Sequence, residues 1–201
     1  LLLRALREVA EVDLVIYSAY AATTPEDEAV LRRDFGLIEI WRPRTATGPL
    51  AGALRTLSAG FDGGLPEDHA AAARLTALLG SGRYDAVVCR YARPLAAAGA
   101  LNHQVPVLLD ADDIDIQVMA HQVSRLSGLA RLKGQWRLNG LKRRMAPLLA
   151  SPRHVWIVSE SDRAYAPHDR VSVLPNIPFP GGGETPDLPP AEGSQRVLLV
   201  A

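Results

Sequence analysis

Three observations predict an α/β fold with a Rossmann-like, mostly parallel, doubly wound sheet. Apolar strand patterns alternate with helical patterns along residues 1–175, as expected for successive βαβ units. Within several strands the apolar residues are consecutive, as in Val107-Leu108-Leu109, which is typical of strands buried on both faces. The 201 residues are 48% hydrophobic and 22% charged, a composition that is usual for a globular domain.

Composition also limits the functional classes. Lys and Arg together number 22 and balance 22 Asp and Glu, so the overall charge gives no argument for a nucleic-acid partner. A single cysteine, Cys89, excludes an intramolecular disulfide and fits a reducing compartment. No apolar run approaches the roughly 20 residues that a membrane-spanning helix needs. We therefore expect a cytoplasmic protein that meets a membrane, if at all, only at its surface.

The first part of the chain predicts half of a βαβ unit followed by further units. Apolar residues at helical spacing up to Ala10 lead into a strand at 12–20, so we expect the preceding strand to lie upstream of Leu1. Thr24, followed by Pro25 and two acids, is predicted to cap a helix that Gly36 ends. The patterns then predict a strand at 37–41, helices near 49–59 and 66–80, and a strand at 84–91.

An apolar strand that ends in carboxylates, at residues 105–115, is the main candidate site. It places Asp110, Asp112 and Asp113 at its carboxyl end, where open α/β sheets bind their ligands. Adjacent acids repel one another and lose solvation when buried, which favours a functional role. The alternative is that one of them caps the next helix and the others face water. Arg90, at the end of the preceding predicted strand, is a further candidate.

The segment 116–159 contains no acidic residue but many basic ones, so its local charge is positive. Within it an apolar stripe predicts an amphipathic helix with basic residues largely off the stripe. The stripe comprises Leu138, Leu141, Met145 and Leu148, and the basic residues are Arg137, Lys142, Arg143 and Arg144. Two interpretations stay open: a solvated helix face, or contact with phosphate or anionic lipid.

The last part of the chain predicts a domain boundary. A strand at 154–159 is followed by a short helix that begins at Ser159, and by a strand at 171–174. Prolines and glycines fill the next stretch, which predicts a linker at 178–195. Residues 196–201 are again apolar. We therefore predict a first domain at 1–177, and a second domain whose first strand is 196–201, with the sequence incomplete at both ends.

The order of several short motifs resembles a known family. V-L-L-D-A-D-D-I at 107–114 is followed by the basic helix, by V-S-E-S-D-R at 158–163, and by V-L-P-N at 173–176. This order is similar to that of the amino-terminal domain of family 4 glycosyltransferases of the GT-B fold, in particular the sugar transferases linked to exopolysaccharide and exosortase systems. The family's first strand with its Gly-rich turn and its carboxyl domain have no counterpart here. Ile177-Pro178-Phe179 also stands where the family usually has Gly-Val-Asp.

The resemblance implies a hexosyltransferase that moves a sugar from a nucleotide-sugar to a glycan or lipid-linked acceptor in cell-surface polysaccharide synthesis. It implies that Asp110, Asp112 and Asp113 position or deprotonate the acceptor hydroxyl. It assigns substrate binding to Arg90, facing donor phosphate, and to Ser159, Glu160, Arg163 and Asn176. No metal or other cofactor is expected, because such enzymes stabilise the leaving phosphate with helix amino ends and basic residues. Since the donor groups belong to the carboxyl domain, these 201 residues alone are expected to be inactive.

Two alternatives come from other classes. D-A-D-D-I also resembles the nucleophile strand of haloacid-dehalogenase-like phosphohydrolases, with Ser159 as their second-strand hydroxyl, but paired acids that would hold magnesium do not follow Ser159. The other alternative is a non-catalytic Rossmann-like binding module. For the remaining side chains we predict structural roles. His103, His121 and His154 lack metal-ligand spacing, while Cys89, Trp136 and Trp156 lie in apolar patterns that indicate core packing.

Overall fold

The computed structural model describes residues 2–17, 24–42, 65, 67–99, 104–112, 114–166, 169–175 and 195–201. The helices and strands follow in this order: α1 Leu2–Val9, β1 Ala10–Tyr17, α2 Pro25–Phe35, β2 Leu37–Trp41, α3 His69–Leu79, β3 Ala86–Arg90, α4 Ala92–Ala98, β4 Val107–Ala111, α5 Asp115–Ser124, α6 Gly128–Ala150, β5 His154–Ile157, a 3-10 helix Glu160–Tyr165, β6 Val171–Val173 and β7 Gln195–Val200. The helix predicted near 49–59 lies outside these residues.

The seven strands form one sheet in the order β2-β1-β7-β3-β4-β5-β6, and every described pairing is parallel. From β1 to β6 a helix separates each strand from the next along the chain, a 3-10 helix in the case of β5 and β6. The predicted Rossmann-like α/β fold is therefore confirmed. Strand order runs from β1 to β2 in one direction and from β3 to β6 in the other, so it reverses at the centre of the sheet, where such folds bind ligands.

Apolar side chains cover both faces of the sheet, as the consecutive apolar residues of the strands require. One face joins Leu75 of α3, Leu95 of α4 and Leu141 of α6 in a large core, and the other joins Leu14 and Leu199 with residues of α1 and α2. Adjacent residues of one strand point to opposite faces. The register of the strand pairing determines which side chains lie opposite one another at the strand ends.

The predicted helix after Thr24 is present and has the expected ends. The Thr24 side chain accepts a hydrogen bond from the Asp27 amide, and Asp27 accepts one from the Thr24 amide, which together make a capping box. At the other end Gly36 has φ 63°, a left-handed conformation that favours glycine. A Cβ atom at Gly36 would lie 2.9 Å from the carbonyl oxygen of Val12.

The position of residues 196–201 differs from the prediction. We predicted them to begin a second domain, but β7 is the central strand of the sheet, paired with β1 on one side and β3 on the other. Its residues Val197 to Val200 are all buried, Leu198 and Val200 completely. The apolar pattern predicted a doubly buried strand correctly, but it carries no information on which sheet the strand joins. Residues 178–194, the bulk of the predicted linker, lie outside the described residues.

The long helix α6 is amphipathic as predicted, and its stripe of Leu138, Leu141, Met145 and Leu148 is buried in the core. The prediction for Trp136 was wrong, because this residue is 36% exposed. It shares the outer side of the helix with Leu129 and Leu132, which are exposed as well. Trp156 is partly buried against the face that includes Leu199, in line with its predicted packing role. Among the described residues, no helix is both long enough and apolar enough to cross a membrane.

Candidate functional site

The strand register brings Arg90 and Asp110 together at the carboxyl edge of the sheet. Arg90 is the last residue of β3 and lies opposite Asp110 of β4, while Asp110 lies opposite Trp156 of β5 on its other side. The Tyr91 amide continues the ladder by donating to the carbonyl oxygen of Asp110 at 2.8 Å. Two charged residues that are 20 positions apart in the sequence thus become neighbours because parallel strands end at the same edge.

Arg90, Asp110 and Asp112 form one ion-pair group, which we call the Arg90 cluster. Nη2 of Arg90 donates to Oδ2 of Asp112 at 3.0 Å, and Nε of Arg90 lies 3.8 Å from Oδ2 of Asp110. The side chains of both aspartates are 14% exposed and that of Arg90 is 33% exposed. The alternative in which these acids face water is therefore excluded for Asp110 and Asp112, and α5 begins with Ile114 as its N-cap residue.

Burial sets the electrostatics of the Arg90 cluster. Burial raises the pKa of Asp110, the neighbouring Asp112 carboxylate raises it further, and the Arg90 guanidinium opposes both. For Arg90, burial lowers the pKa, but the hydrogen bond to Asp112 and the negative charge around it outweigh burial and raise the pKa. Arg90 is thus always charged. One cation serves two carboxylates, and Nε of Arg90 is buried without a hydrogen-bond partner.

Tyr91 completes the cluster, although no sequence pattern pointed to this residue. It has φ 67° and ψ 152°, and it is the one residue other than glycine with positive φ in the described part of the chain. Such a conformation costs of order 1–3 kcal/mol and is frequent at functional sites. The ring lies 5.1 Å from the Arg90 guanidinium carbon, and its hydroxyl lies 3.4 Å from Oδ2 of Asp112. Because the strained turn holds the ring over Arg90, it restricts the guanidinium on one side.

A second ion pair lies beside the cluster and joins the helices that follow the two strands. Nε of Arg93, in α4, lies 3.4 Å from Oδ2 of Asp115, the first residue of α5. The pair ties the start of α4 to the start of α5. The turns that carry Tyr91 and Asp112 are therefore anchored to each other both at the strand ends and at the helix starts.

The residues predicted on the next strand, Ser159, Glu160 and Arg163, lie in the turn after β5. Ser159 and Asp162 form a capping box in which Oγ of Ser159 donates to Oδ2 of Asp162 at 2.8 Å. Glu160 and Arg163 form an exposed ion pair, and Nη1 of Arg163 also donates to the Val171 carbonyl at 3.3 Å. These contacts hold the turn and attach it to β6.

Two further residues were missed, Asp162 of this turn and Gln117 of α5. Asp162 is buried, and Oδ1 of Asp162 accepts a hydrogen bond from the Gln117 side chain of α5. This bond connects the turn after β5 to the helix that follows the Arg90 cluster. The S-x-x-D spacing of Ser159 and Asp162 was the available signal, since it is the spacing of a capping box. Nothing in the sequence indicates the partner, because Gln117 is 45 positions away.

Asp113 and Asn176, the remaining predicted site residues, lie outside the described residues, and their roles stay predictions. Among the residues that the structure describes, no three His, Cys, Asp or Glu side chains are grouped closely enough to hold a metal ion. Nε2 of His154 lies 3.0 Å from the hydroxyl Oγ of Ser172. Cys89 is completely buried, and burial raises its thiol pKa to about 12, so the predicted role as a small apolar side chain is confirmed.

Comparison with known proteins identifies no family for this chain. The sequence matches no protein-family model, no curated protein and no solved structure. The fold and the Arg90 cluster therefore carry the functional argument together with the motif order.

Proposed function

We propose that this chain is the acceptor side of a glycosyltransferase that moves a sugar from a nucleotide-sugar to a glycan or lipid-linked acceptor in cell-surface polysaccharide synthesis. The observation that carries the proposal is the Arg90 cluster. It places two largely buried carboxylates at the carboxyl edge of the sheet, one strand away from the reversal of strand order. The resemblance of the motif order to GT-B enzymes of family 4 supports the same assignment.

In the proposed reaction Asp110 receives the proton of the acceptor hydroxyl. The hydroxyl oxygen forms a bond to the anomeric carbon while the bond from that carbon to the donor phosphate breaks, and the nucleoside diphosphate leaves. A carboxylate whose pKa is raised by burial holds a proton better than an exposed one, which suits this role. Asp112, held by Arg90 at 3.0 Å, would orient the acceptor.

We assign two roles to Arg90. Its hydrogen bond to Asp112 and its proximity to Asp110 make it the positioning residue for both carboxylates. Because one third of its side chain is exposed, the same guanidinium can also face donor phosphate. Ser159, Glu160, Arg163 and Asn176 would line the acceptor side beside it, and the donor groups would come from a carboxyl domain. A lipid-linked acceptor would place the protein in the cytoplasm, at the inner face of a membrane.

A product assay tests the proposal and separates it from the alternatives. The full-length protein is incubated with a panel of uridine- and guanosine-diphosphate sugars and with glycan or polyprenyl-phosphate acceptors, and the products are identified by mass spectrometry. We expect release of the nucleoside diphosphate that depends on the acceptor, with one hexose added to it. Magnesium-dependent hydrolysis of p-nitrophenyl phosphate without sugar transfer would instead identify a phosphohydrolase. Binding of a nucleotide-sugar without turnover would identify a binding module.

A further inference from the structure

The corner between α5 and α6 exposes a group of apolar side chains that the core does not use. Nine large hydrophobic side chains of the described residues are exposed, and five of these lie in the short stretch 118–136. All ten residues from Ser124 to Lys133 are exposed, so the chain here projects from the body of the fold. We call residues 124–137 the hairpin tip. Leu129 and Leu132, 84% and 68% exposed, are its most accessible apolar residues.

The exposed apolar residues of α6 share one face of the helix. Leu129, Leu132 and Trp136 follow the i, i+3, i+7 spacing of a single helical stripe. Trp136 and Met145, a core residue, are about two and a half turns apart and therefore point to opposite sides. The helix thus has two apolar stripes, an inner one in its second half that packs in the core, and an outer one in its first half.

The charge around the outer stripe has one sign. Arg125, Arg131, Lys133 and Arg137 lie within or at the border of the hairpin tip, and no acidic residue occurs from 116 to 159. An exposed apolar stripe bordered only by basic residues matches the interface of an anionic bilayer, where leucine and tryptophan enter the headgroup region and cations meet lipid phosphates. A protein partner would need an acidic rim around an apolar groove, whereas an anionic membrane supplies both properties without a specific shape.

The hairpin tip points toward the same side of the sheet as the Arg90 cluster. Helix α6 ends at Ala150, three residues before β5 starts, so its last turn lies at the amino edge. With 23 residues it is about 34 Å long, twice the length of the five-residue strand β4 at about 17 Å. Its first half therefore extends past the carboxyl edge, where the Arg90 cluster lies.

We propose that the hairpin tip docks this protein on an anionic membrane by inserting Leu129, Leu132 and Trp136 into the interface, with Arg131, Lys133 and Arg137 against the lipid phosphates. This surface differs from the one that the sequence suggested, since Lys142, Arg143 and Arg144 accompany the stripe that is buried. The orientation turns the Arg90 cluster toward the lipid surface. A role in reaching a lipid-linked acceptor rests on the proposed function; the docking itself does not.

Vesicle flotation tests the docking without nucleotide-sugar, so its outcome is independent of whether the protein transfers sugar. The vesicles contain phosphatidylcholine alone, or phosphatidylcholine and phosphatidylglycerol in a two to one ratio. We expect binding to the anionic vesicles that weakens with salt. The variant Arg131→Gln/Lys133→Gln/Arg137→Gln should bind on the order of 100-fold less at low salt, since each basic residue near such a surface contributes about a factor of five.

The apolar part of the proposal has its own variants and its own signal. Leu129→Ser/Leu132→Ser should lose binding to anionic vesicles, while Val30→Ser, an exposed residue of α2, and Lys142→Gln/Arg143→Gln should retain it. All are exposed side chains, so equal melting temperatures verify the fold. Tryptophan emission should shift to the blue on vesicles, and Trp136→Phe should abolish the shift although Trp41 and Trp156 remain.

Three results would overturn the proposal. Loss of binding in Lys142→Gln/Arg143→Gln but not in Leu129→Ser/Leu132→Ser would place the contact on the second half of α6. Equal binding to neutral and anionic vesicles would contradict the role of the basic residues. A wild-type protein that ignores vesicles but forms a dimer, with Leu129→Ser/Leu132→Ser monomeric in sedimentation, would show that the stripe holds a second copy of the chain.

Discussion

The two edges of the sheet carry similar residue types in different arrangements. At the amino edge, the Tyr84 hydroxyl donates to Asp13 at 2.7 Å, the Arg196 amide donates to Asp85 at 2.7 Å, and Arg196 pairs with Glu11. Each donor there has its own acceptor. At the carboxyl edge, one guanidinium is shared by Asp110 and Asp112 beside the strained Tyr91.

The difference distinguishes a structural edge from a candidate site. Pairs such as Tyr84 with Asp13 join the segment before β3 to β1, on the other side of β7, with one donor for one acceptor. In the Arg90 cluster two largely buried carboxylates share one guanidinium, and burial raises the pKa of Asp110. Perturbed acids that share one partner are the pattern that functional sites show more often than structural ion pairs.

The largest predicted effect is the loss of stability from a cavity in β7, the central strand of the sheet. Leu198 is completely buried at the centre of β7, so Leu198→Ala should lower the free energy of unfolding by about 2–5 kcal/mol. Leu129→Ala, at an 84% exposed site, is the matched control and should change it by less than about 0.5 kcal/mol. Urea unfolding measures both. Equal stability of the two variants would mean that β7 does not lie between β1 and β3 in solution. The residues compared here would then not lie at the two edges of one sheet.

The next predicted effect is a shift of the pH profile when the arginine of the carboxyl edge is replaced, but not when that of the amino edge is. Arg90→Gln removes the charge that holds down the pKa of Asp110, so burial and Asp112 are left to raise it. If Asp110 is the general base, the acidic limb of the pH profile of kcat/KM should move to higher pH. The matched change at the amino edge, Arg196→Gln, should leave the limb in place. A limb that stays fixed in Arg90→Gln would remove Asp110 from the mechanism.

A smaller effect is expected at the amino edge and appears in stability alone. Burial, reinforced by the hydrogen bond to Asp13, raises the pKa of Tyr84 from 10.0 to about 12. The folded protein therefore keeps the phenol proton that the unfolded chain releases, and this contribution is complete below pH 10 and lost as pH rises to about 12. Tyr84→Phe should cost about 1 kcal/mol at neutral pH and should flatten the alkaline loss. An unchanged alkaline slope would contradict the pairing of Tyr84 with Asp13.

The bounds of the strands could be predicted from the sequence, whereas their pairing could not. Local patterns predicted β2 at 37–41 with the observed bounds, and they placed Asp110 and Asp112 at the carboxyl end of β4. The pairing of Arg90 with Asp110 and Asp112 was not predicted, although both strand ends were, because the order of strands in a sheet is not written in any one segment. The same limit explains β7, whose doubly buried pattern fits any parallel sheet.

Side-chain environments were predictable only where one helix face was apolar. The inner stripe of α6 was identified through Leu138, Leu141 and Met145, but Trp136 was assigned to the core because it also lies in an apolar pattern at helical spacing. The helix has two apolar stripes, and periodicity alone does not tell which of them is buried. Tyr91 was missed because its positive φ results from the tight connection between β3 and α4, for which tyrosine gives no signal.

The most direct test of the central claim compares one carboxylate from each edge in the same transfer assay. Asp112→Asn keeps the size of the side chain but removes the charge that Arg90 holds, so kcat/KM, measured below the melting transition, should fall by about 100-fold or more. Asp13→Asn weakens the bond to Tyr84, so the melting temperature should fall while kcat/KM keeps its wild-type value. Wild-type turnover by Asp112→Asn, or a loss of turnover in Asp13→Asn at unchanged stability, would contradict the assignment of chemistry to the carboxyl edge.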